Sequence, residues 1–325
     1  MEDKIKTLFD YIKNLCEADL DRIISFVLGI VSIDQQSQEK PDCPYCRGKH
    51  VVKFGHRNGK QRFLCRGCSR TFMRSTNTLM ANSHYTQSVW IDFIQDTLYG
   101  KTLDDSAEKP YFNMRHKVLM ALQDLLEQNT VLLSGIVEFD ETFVLDCYKG
   151  ARVPKEAGRK ARKHGAKAAK RGISNEYIAI CTGVQRDGDA IAATVNRAKP
   201  SSEELGEIFQ GHIAEDSLIL TDGLRSYNIL ETLANCTVVD VNHEESRGIF
   251  NLNTVNSLHS YIKKTYDHYR GVATKYINRY NALFSIAFRC AKNLKDALFF
   301  SLCTVGNNCY WHSVKDVRSY QLVAL

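Results

Sequence analysis

The stretch Gly135-Ile-Val-Glu-Phe-Asp-Glu-Thr-Phe143 decides the fold of this chain. Its apolar residues alternate loosely with acids, which is the pattern of a half-buried β-strand. Successive side chains on a strand point to opposite faces, so Glu138 shares a face with Asp140 and can support it, whereas Glu141 is predicted to face away. Since acids are usually surface residues, this strand indicates a site only if other parts of the chain supply partners for Asp140.

The composition predicts a globular protein of two or three domains with no membrane partner. The 325 residues carry a formal net charge of +6, with 44% hydrophobic and 25% charged residues. These values are ordinary for a soluble protein, and the mild basicity permits contact with nucleic acid. The N-terminus lacks the features of a signal peptide, and its longest apolar run, 26–31, is too short to span a bilayer. A cytoplasmic protein is therefore expected.

Four of the 11 cysteines form two closely spaced pairs. Cys43-Pro-Tyr-Cys46 is followed, 18 residues on, by Cys65-Arg-Gly-Cys68. Two such turns at this separation can close a tetrahedral site of four thiolates, which indicates a structural Zn²⁺ site with no open coordination position. A cytoplasmic compartment also argues against disulfides. The other seven cysteines are scattered, as expected of small buried residues.

The predicted zinc ribbon also carries cations interleaved with aromatic residues. Arg57, Lys60 and Arg62 lie between the cysteine pairs, in a segment that includes Phe54 and Phe63. This mixture suits contact with DNA, because phosphates attract cations and bases stack on aromatic rings. A zinc ribbon can equally mediate protein contacts, and the sequence leaves both roles open.

Two helical regions flank the ribbon. Apolar residues at helical spacing predict a helical segment over residues 1–38, ahead of the ribbon at 40–76. A second helical region, 84–128, has the outline of a helix-turn-helix, with Arg115 and Lys117 on a DNA-recognition helix. Pro110 interrupts this pattern, and the space is short for two full helices and a turn.

The most basic stretch of the chain follows the acidic strand. Ten lysines and arginines fall between residues 149 and 171, against the single acid Glu156. Glycines in the same stretch predict a mobile loop, defined here as the basic insert, residues 149–172. A merely solvated loop is the alternative, but this density of cations suits a DNA backbone. The cations assigned to DNA contact are Arg159, Lys160, Arg162, Lys163, Lys167, Lys170 and Arg171.

Strands and helices alternate through the rest of the chain. This order predicts an α/β catalytic domain with a mixed sheet over residues 132–300, followed by a C-terminal tail at 301–325. A buried strand, 217–221, ends on Asp222. If this strand lies near the first one, Asp140 and Asp222 converge at one edge of the sheet.

Converging carboxylates indicate a catalytic metal site. Mg²⁺ or Mn²⁺ takes oxygen ligands, and two such ions can activate water or a 3′-hydroxyl and stabilise the leaving oxygen of a phosphodiester. A later helix places Asn256, Ser260 and Lys263 on one face. The amide of Asn256 can offer a further oxygen to the metal, and Lys263 can reach a phosphate.

These residues resemble those of bacterial DDE-type insertion-sequence transposases, in the ISXO-like branch with a zinc ribbon. The matching passages run from about residue 43 to residue 285: CPYC and CRGC, GIVEFDETF, the basic run ending RKHGAKAAKRGIS, LTDGLRSY, and NTVNSLHSYIKKTYDHYRGVATKYINRY. The resemblance implies a ribonuclease H-like core in which Asp140 and Asp222 are catalytic acids. Asn256 stands at the third position, where relatives carry Glu or Asn, and Lys263 is the motif lysine.

The resemblance also implies an activity and partners. Such enzymes cleave DNA at terminal inverted repeats and join the 3′ ends to target DNA, which requires at least two chains on double-stranded DNA and a nucleoid-associated location.

Two departures from the family pattern leave alternatives open. The helix-turn-helix region is shorter than in relatives, which allows a repurposed zinc-ribbon DNA-binding protein, and a simple metal-dependent nuclease is a third reading. The third ligand is neutral, and the supplements ranked below Asn256 are Glu141, His243, Glu244 and Glu245.

Overall fold

The computed structural model describes residues 40–290, apart from short gaps at 78, 86, 99, 104–107, 129–130, 158, 161, 163–166, 187, 195 and 243–247. The predicted helical segment 1–38 and the predicted tail 301–325 lie outside the described residues. Within the described part, the chain divides into two compact units, residues 40–91 and residues 92–290. No helix in this part of the chain is long and apolar enough to cross a membrane.

The first unit contains a three-stranded antiparallel sheet. Its strands are β1 (Val51–Arg57), β2 (Lys60–Cys65) and β3 (Thr71–Met73), in that order. Asn58 and Gly59 connect β1 to β2 with φ of 51° and 75°, as a two-residue type I′ turn requires. The buried cluster beneath the sheet consists of Cys43, Val51, Phe63, Cys65 and Phe72. Because so small a core stabilises little by itself, this unit depends on its cysteines.

Two helices precede the sheet of the second unit: α1 (Gln87–Leu98) and α2 (Glu108–Gln128). Pro110 lies in the first turn of α2, where no helical partner is needed for its missing N–H. The residue therefore does not interrupt the helix, contrary to the sequence pattern. The middle of α2 is buried, with Val118, Leu119 and Leu122 fully inaccessible.

Burial of α2 corrects the prediction that Arg115 and Lys117 contact DNA. Arg115 is 3% exposed and Lys117 is 6% exposed. The Arg115 guanidinium donates to the carbonyl oxygen of Lys101 at 2.6 Å and lies over the rings of Phe93 and Tyr269. Burial also lowers the pKa of Lys117. In this structure α2 is a core helix of the second unit, and both cations are buried in it rather than exposed.

The second unit is built on a five-stranded mixed sheet. Its strands are β4 (Ile136–Leu145), β5 (Tyr177–Gln185), β6 (Ala190–Ala193), β7 (Leu218–Thr221) and β8 (Thr237–Asp240), in the order β6-β5-β4-β7-β8. Strand β5 runs antiparallel to both β4 and β6, while β7 runs parallel to β4 and β8 runs parallel to β7. This order is that of a ribonuclease H-like core, and the predicted α/β fold class is confirmed.

Helices cover both faces of this sheet. One face packs on α3 (Ser202–Phe209) and α4 (Ile229–Ala234), around a core that includes Phe139 and Tyr227. The Ser201 side chain and Glu204 form a capping box at the start of α3. The other face packs on α5 (Asn253–His268) and α6 (Ile277–Cys290).

The helical region that begins at Asn253 is divided in two. Arg270 and Gly271 have φ of 53° and 84°, which ends α5 in left-handed conformation before α6 begins. The break turns α6 back against β6, where Ser285 Oγ accepts a hydrogen bond from the Ala192 amide at 3.0 Å.

Candidate active site

Parallel pairing of β4 and β7 brings the two predicted acids to one edge of the sheet. Glu138 lies opposite Leu220, so two residues further along each strand place Asp140 and Asp222 at the same level. One carboxylate oxygen from each of Asp140, Glu141 and Asp222 lies within 4.8 Å of the other two. Asp140 and Glu141 are partly buried, and Asp222 is exposed.

Glu141 joins this cluster, although its position on the strand faces away from Asp140 as the sequence predicts. Its position on β4 does point to the face that packs on α3 and α4, where Tyr227 Oη donates to Glu141 Oε2 at 3.2 Å. However, β7 ends at Thr221, so no strand separates the two faces beside Glu141. A glutamate side chain is long enough to bring its carboxylate back to this open edge.

Burial and mutual repulsion raise the pKa values of Asp140 and Glu141 when no cation is bound. Burial raises the pKa of Asp140 to about 6, and the charge of Asp222 adds to this rise, while Lys263 opposes it. Burial, followed by the charges of Asp140 and Asp222, raises the pKa of Glu141 to about 7. A bound divalent cation would stabilise the ionised forms, so the donor set fits Mg²⁺ or Mn²⁺.

Asp140→Asn should stabilise the zinc-loaded protein when no Mg²⁺ or Mn²⁺ is present. The folded-state pKa of Asp140, about 6, exceeds the ordinary value of 3.8, so its ionisation opposes folding. The loss of folding stability caused by this ionisation is absent below pH 3.8, grows as the pH rises, and reaches its full size above about pH 6. The variant should therefore melt higher than the wild type at pH 8, by about 2–4 °C per kcal/mol released, and equally near pH 4. Equal melting temperatures at pH 8 would contradict this, with Asp267→Asn on the exposed side of α5 as the control.

His259 is a residue of the site that the sequence did not reveal. Its Nδ1 lies 3.5 Å from Asp140 Oδ2, and its Nε2 lies 2.7 Å from Thr182 Oγ1. Burial, together with the charge of Lys263, lowers the pKa of His259 to about 4, so the ring is neutral near pH 7. A neutral ring packed here restricts the Asp140 carboxylate without neutralising it. One feature of the sequence could have indicated His259: it lies three residues after Asn256 and four before Lys263, on the same side of a helix.

The two remaining predicted site residues lie on the exposed side of α5. Asn256 is in the first turn, and Lys263 is two turns later, close enough to Asp140 to oppose the rise in its pKa. Asn256 faces an open groove of about 430 Å³, lined also by Asn253, Ser257, Ser260, Tyr261 and Lys264. Amides, hydroxyls and a cation are suitable groups for contact with a DNA strand. The other candidate supplements, His243, Glu244 and Glu245, lie outside the described residues.

The four predicted zinc ligands come together in the first unit. The Sγ atoms of Cys43 and Cys68 are 3.6 Å apart, as are those of Cys46 and Cys65, and all four sulfurs lie within 4.8 Å of one another. Thiolates at about 2.3 Å from a tetrahedral Zn²⁺ lie roughly 3.8 Å apart, so the spacing fits one ion. The backbone N–H of Cys68 lowers the pKa of Cys65 to about 7, which favours the thiolate.

The basic insert is anchored at its base by one buried aspartate, Asp146, whose side chain is 1% exposed. Asp146 Oδ1 accepts from Arg159 at 2.7 Å and from Arg162 at 2.5 Å, and Oδ2 accepts from Arg197 at 3.0 Å. Burial opposes ionisation, yet these guanidiniums hold the pKa of Asp146 below its usual range. Arg162 also pairs with Glu176.

These contacts correct two predictions about the insert. Arg159 and Arg162 are committed to carboxylates inside the protein, so in this structure they hold the loop rather than present charge to DNA. Outward cations remain at Lys160, Lys167, Lys170 and Arg171, and Lys163 lies outside the described residues.

Asp146→Ala should release the base of the insert. The change leaves three guanidiniums without their shared carboxylate, so local opening becomes easier, and each 1.4 kcal/mol of lost local stability gives about tenfold more open state. Limited trypsin digestion should then cut within residues 149–172 about tenfold faster or more. Glu215→Ala, an exposed acid elsewhere in the same unit, is the control. An unchanged cleavage rate would show that Asp146 does not anchor the loop.

In the ribbon, Arg57 and Lys60 are exposed beside the β1–β2 turn. Arg62 is partly buried, because its guanidinium donates to Thr71 Oγ1 at 3.1 Å and lies over the Phe54 ring. The ribbon therefore presents two free cations at one end and a third that is held against the sheet.

The second unit matches a known family of domains. Residues 132–290 match the family model described as the ISXO2-like transposase domain. An uncharacterised protein in transposable element ISH50 of Halobacterium salinarum is 27% identical over 252 residues, which covers 75% of this chain and 84% of that protein. Residues 132–290 are thus similar to the ISXO2-like transposase domain, and the predicted resemblance to ISXO-like insertion-sequence transposases is confirmed.

Two solved structures are also similar in part. A pre-cleavage Mos1 transpososome matches with a TM-score of 0.27 and 13% identity, over 59% of this chain and 62% of that chain. A Mos1 transposase paired-end complex with left transposon end matches with a TM-score of 0.26 and 14% identity, over 63% and 65%. The chain spans less than two thirds of either Mos1 chain. At these scores the likeness carries no conclusion about the site, and the fold class rests on the sheet order.

Proposed function

We propose that this protein is an active DDE-type transposase. It binds the terminal inverted repeats of an insertion sequence, cleaves DNA strands, and joins the 3′ ends to target DNA. The observation that carries the proposal is the convergence of Asp140, Glu141 and Asp222 at one sheet edge within an ISXO2-like transposase domain. At least two chains act together, because two element ends must be joined to one target.

The acids of this edge would hold the catalytic metal. Asp140, Asp222 and the Asn256 amide are the proposed ligands, with Mg²⁺ or Mn²⁺ supplying activation of the attacking oxygen and stabilisation of the leaving one. Asn256 is neutral, so a site with only these three ligands carries one negative charge fewer than a three-carboxylate site. Glu141 restores that charge, since its carboxylate lies within the same cluster.

The neighbouring side chains hold the substrate and the ligands in place. Lys263, close to Asp140, pairs with a phosphate of the bound strand. His259 restricts the Asp140 carboxylate from the buried side. Tyr227 holds Glu141 through its hydroxyl. The zinc is structural, and the ribbon and the basic insert bind the DNA backbone.

A strand-transfer assay tests the proposal. Labelled DNA from the flanks of the gene, which supplies the element ends, is incubated with the full chain, Mg²⁺ and a target plasmid. We expect the labelled 3′ ends to become joined to the plasmid, and Asp222→Asn to abolish the product. Asp216→Asn, an exposed aspartate before β7, is the matched control. Released ends without joining would indicate a nuclease, and binding without cleavage would indicate a DNA-binding protein; either result rejects the transposase.

Replacing three exposed lysines of the insert by glutamine should weaken DNA binding and make the affinity less dependent on salt. Lys160, Lys167 and Lys170 point outward. Each phosphate contact contributes about 0.9 to the slope of log K against log salt, so the slope should fall by as much as roughly 3. Filter binding at several salt concentrations measures it. The lysine-to-arginine triple variant retains the charge and should keep the slope, and an unchanged slope in the glutamine variant would remove the insert from the DNA interface.

A further inference from the structure

The helix that carries Asn256 has no N-cap of its own. The residue before α5 is Leu252, whose side chain makes no capping hydrogen bond. The first amides of a helix have no partner within the helix, and a buried helix end needs another group to accept from them. In this structure Asn251 Oδ1 accepts from the first amide, that of Asn253, at 3.2 Å, and the next two amides donate to a group from a different element of the fold.

Glu138 supplies the missing cap from the central strand. Its Oε2 accepts from the backbone N–H of Thr254 at 2.8 Å and of Val255 at 2.9 Å. The side chain is fully buried, and its negative charge lies at the positive end of the helix dipole. Such charged, doubly bonded caps are strong and have little freedom to move.

Arg186 fixes the other oxygen of the same carboxylate. Its Nε donates to Glu138 Oε1 at 2.7 Å. The same guanidinium donates through Nη2 to the carbonyl oxygens of Ile249 at 2.5 Å and Asn251 at 2.9 Å. Arg186 therefore holds the segment that leads into α5, while Glu138 holds the first turn itself.

We infer that Glu138 and Arg186 are positioning residues that set Asn256 against the two catalytic aspartates. Glu138 and Asp140 are two residues apart on one face of β4, and Asn256 directly follows Val255 in the capped turn. One buried carboxylate thus links the strand that carries one proposed ligand to the helix turn that carries another. This inference rests on the proposed metal site, and it assigns to Glu138 no contact with the metal or DNA.

Binding of Mn²⁺ to the full zinc-loaded chain tests this inference without DNA or catalysis. Electron paramagnetic resonance measures free Mn²⁺ during a titration. In Glu138→Gln the new amide N–H₂ group competes with Arg186 as a donor, so the clamp loses its pairing while the side-chain size is kept. We expect Mn²⁺ affinity to fall about 10- to 100-fold, the usual effect of losing a group that orients a metal ligand. Glu207→Gln, on the exposed side of α3, should bind as the wild type does.

A double-mutant cycle separates positioning from general loosening of the fold. Asn256→Ala lowers Mn²⁺ affinity by itself, and adding Glu138→Gln to it should cause no further loss, because Glu138 acts through Asn256. Losses that multiply would overturn the inference. Arg186→Lys provides a second variant, which decides the matter if Glu138→Gln fails to fold. Lysine cannot hold both the carboxylate and the two carbonyls, so weakened Mn²⁺ binding is expected, and wild-type binding would overturn the inference.

The outcomes also separate this inference from the function on which it rests. A wild-type chain that binds no Mn²⁺ would reject the metal site itself, and with it the transposase and the clamp. A wild-type chain that binds Mn²⁺ while Glu138→Gln and Arg186→Lys bind it equally well would reject the clamp and leave the transposase proposal standing.

Discussion

Asp140→Asn should lower the rate of DNA strand cleavage about a thousandfold or more. Asparagine keeps the shape of the side chain but removes a negative charge from the centre of the acidic cluster. Metal ions contribute several kcal/mol to such reactions, and about 4 kcal/mol corresponds to a thousandfold in rate. The same variant is expected to be more stable than the wild type without added metal, so lost activity would not reflect unfolding.

Single-turnover cleavage of labelled end DNA, in Mg²⁺ and in Mn²⁺, measures this effect. DNA affinity without metal should stay within a few-fold of the wild type, because Asp140 is not one of the cationic residues that are proposed to bind the DNA backbone. Asp267→Asn should cleave normally. Cleavage by Asp140→Asn at more than a tenth of the wild-type rate would exclude Asp140 from the catalytic centre.

The second large effect concerns the zinc ribbon. Cys65→Ser should unfold residues 40–76, because Cys65 is fully buried in the small cluster that it forms with Cys43, Val51, Phe63 and Phe72. Structural zinc contributes about 10–16 kcal/mol to folding in small zinc modules, far more than such a core can supply. Metal analysis should find one zinc per wild-type chain and none in the variant, and proteases should cut the ribbon rapidly.

Cys236→Ser is the matched control for the zinc experiment. Cys236 lies in the second unit, where its Sγ donates to the Leu230 carbonyl oxygen at 3.2 Å, a contact that serine can replace. This variant should keep its zinc and its resistance to proteases. A Cys65→Ser chain that retains a full equivalent of zinc would contradict the four-cysteine site.

Much of the architecture could be predicted because its signals are local. The alternation in β4 acts over a few residues, and the structure places a strand there. The two cysteine pairs have a spacing that few arrangements other than a metal site explain. Asp222 at the end of a buried strand is a signal of the same local kind.

The roles predicted for individual side chains differ from the structure where a residue distant in the sequence is the contact partner. Arg115 looks like a surface cation, but Phe93, Tyr269 and a backbone carbonyl satisfy it in the core. Arg159 and Arg162 look like DNA-binding cations, but Asp146 holds them. Glu141 reaches the site only because β7 ends early. None of these partners can be found from periodicity, since each depends on tertiary packing.

The parallel pairing of β4 with β7 also determines when the catalytic centre can exist. Asp140 and Asp222 are about 80 residues apart in the sequence. At ~5–20 residues per second of synthesis, roughly 4–16 s separate the emergence of the two aspartates from the ribosome. The ribbon is complete before either appears. Under the proposed function, a chain that stops before Asp222 would lack the metal site, and it would compete with the full-length chain for DNA without cutting it.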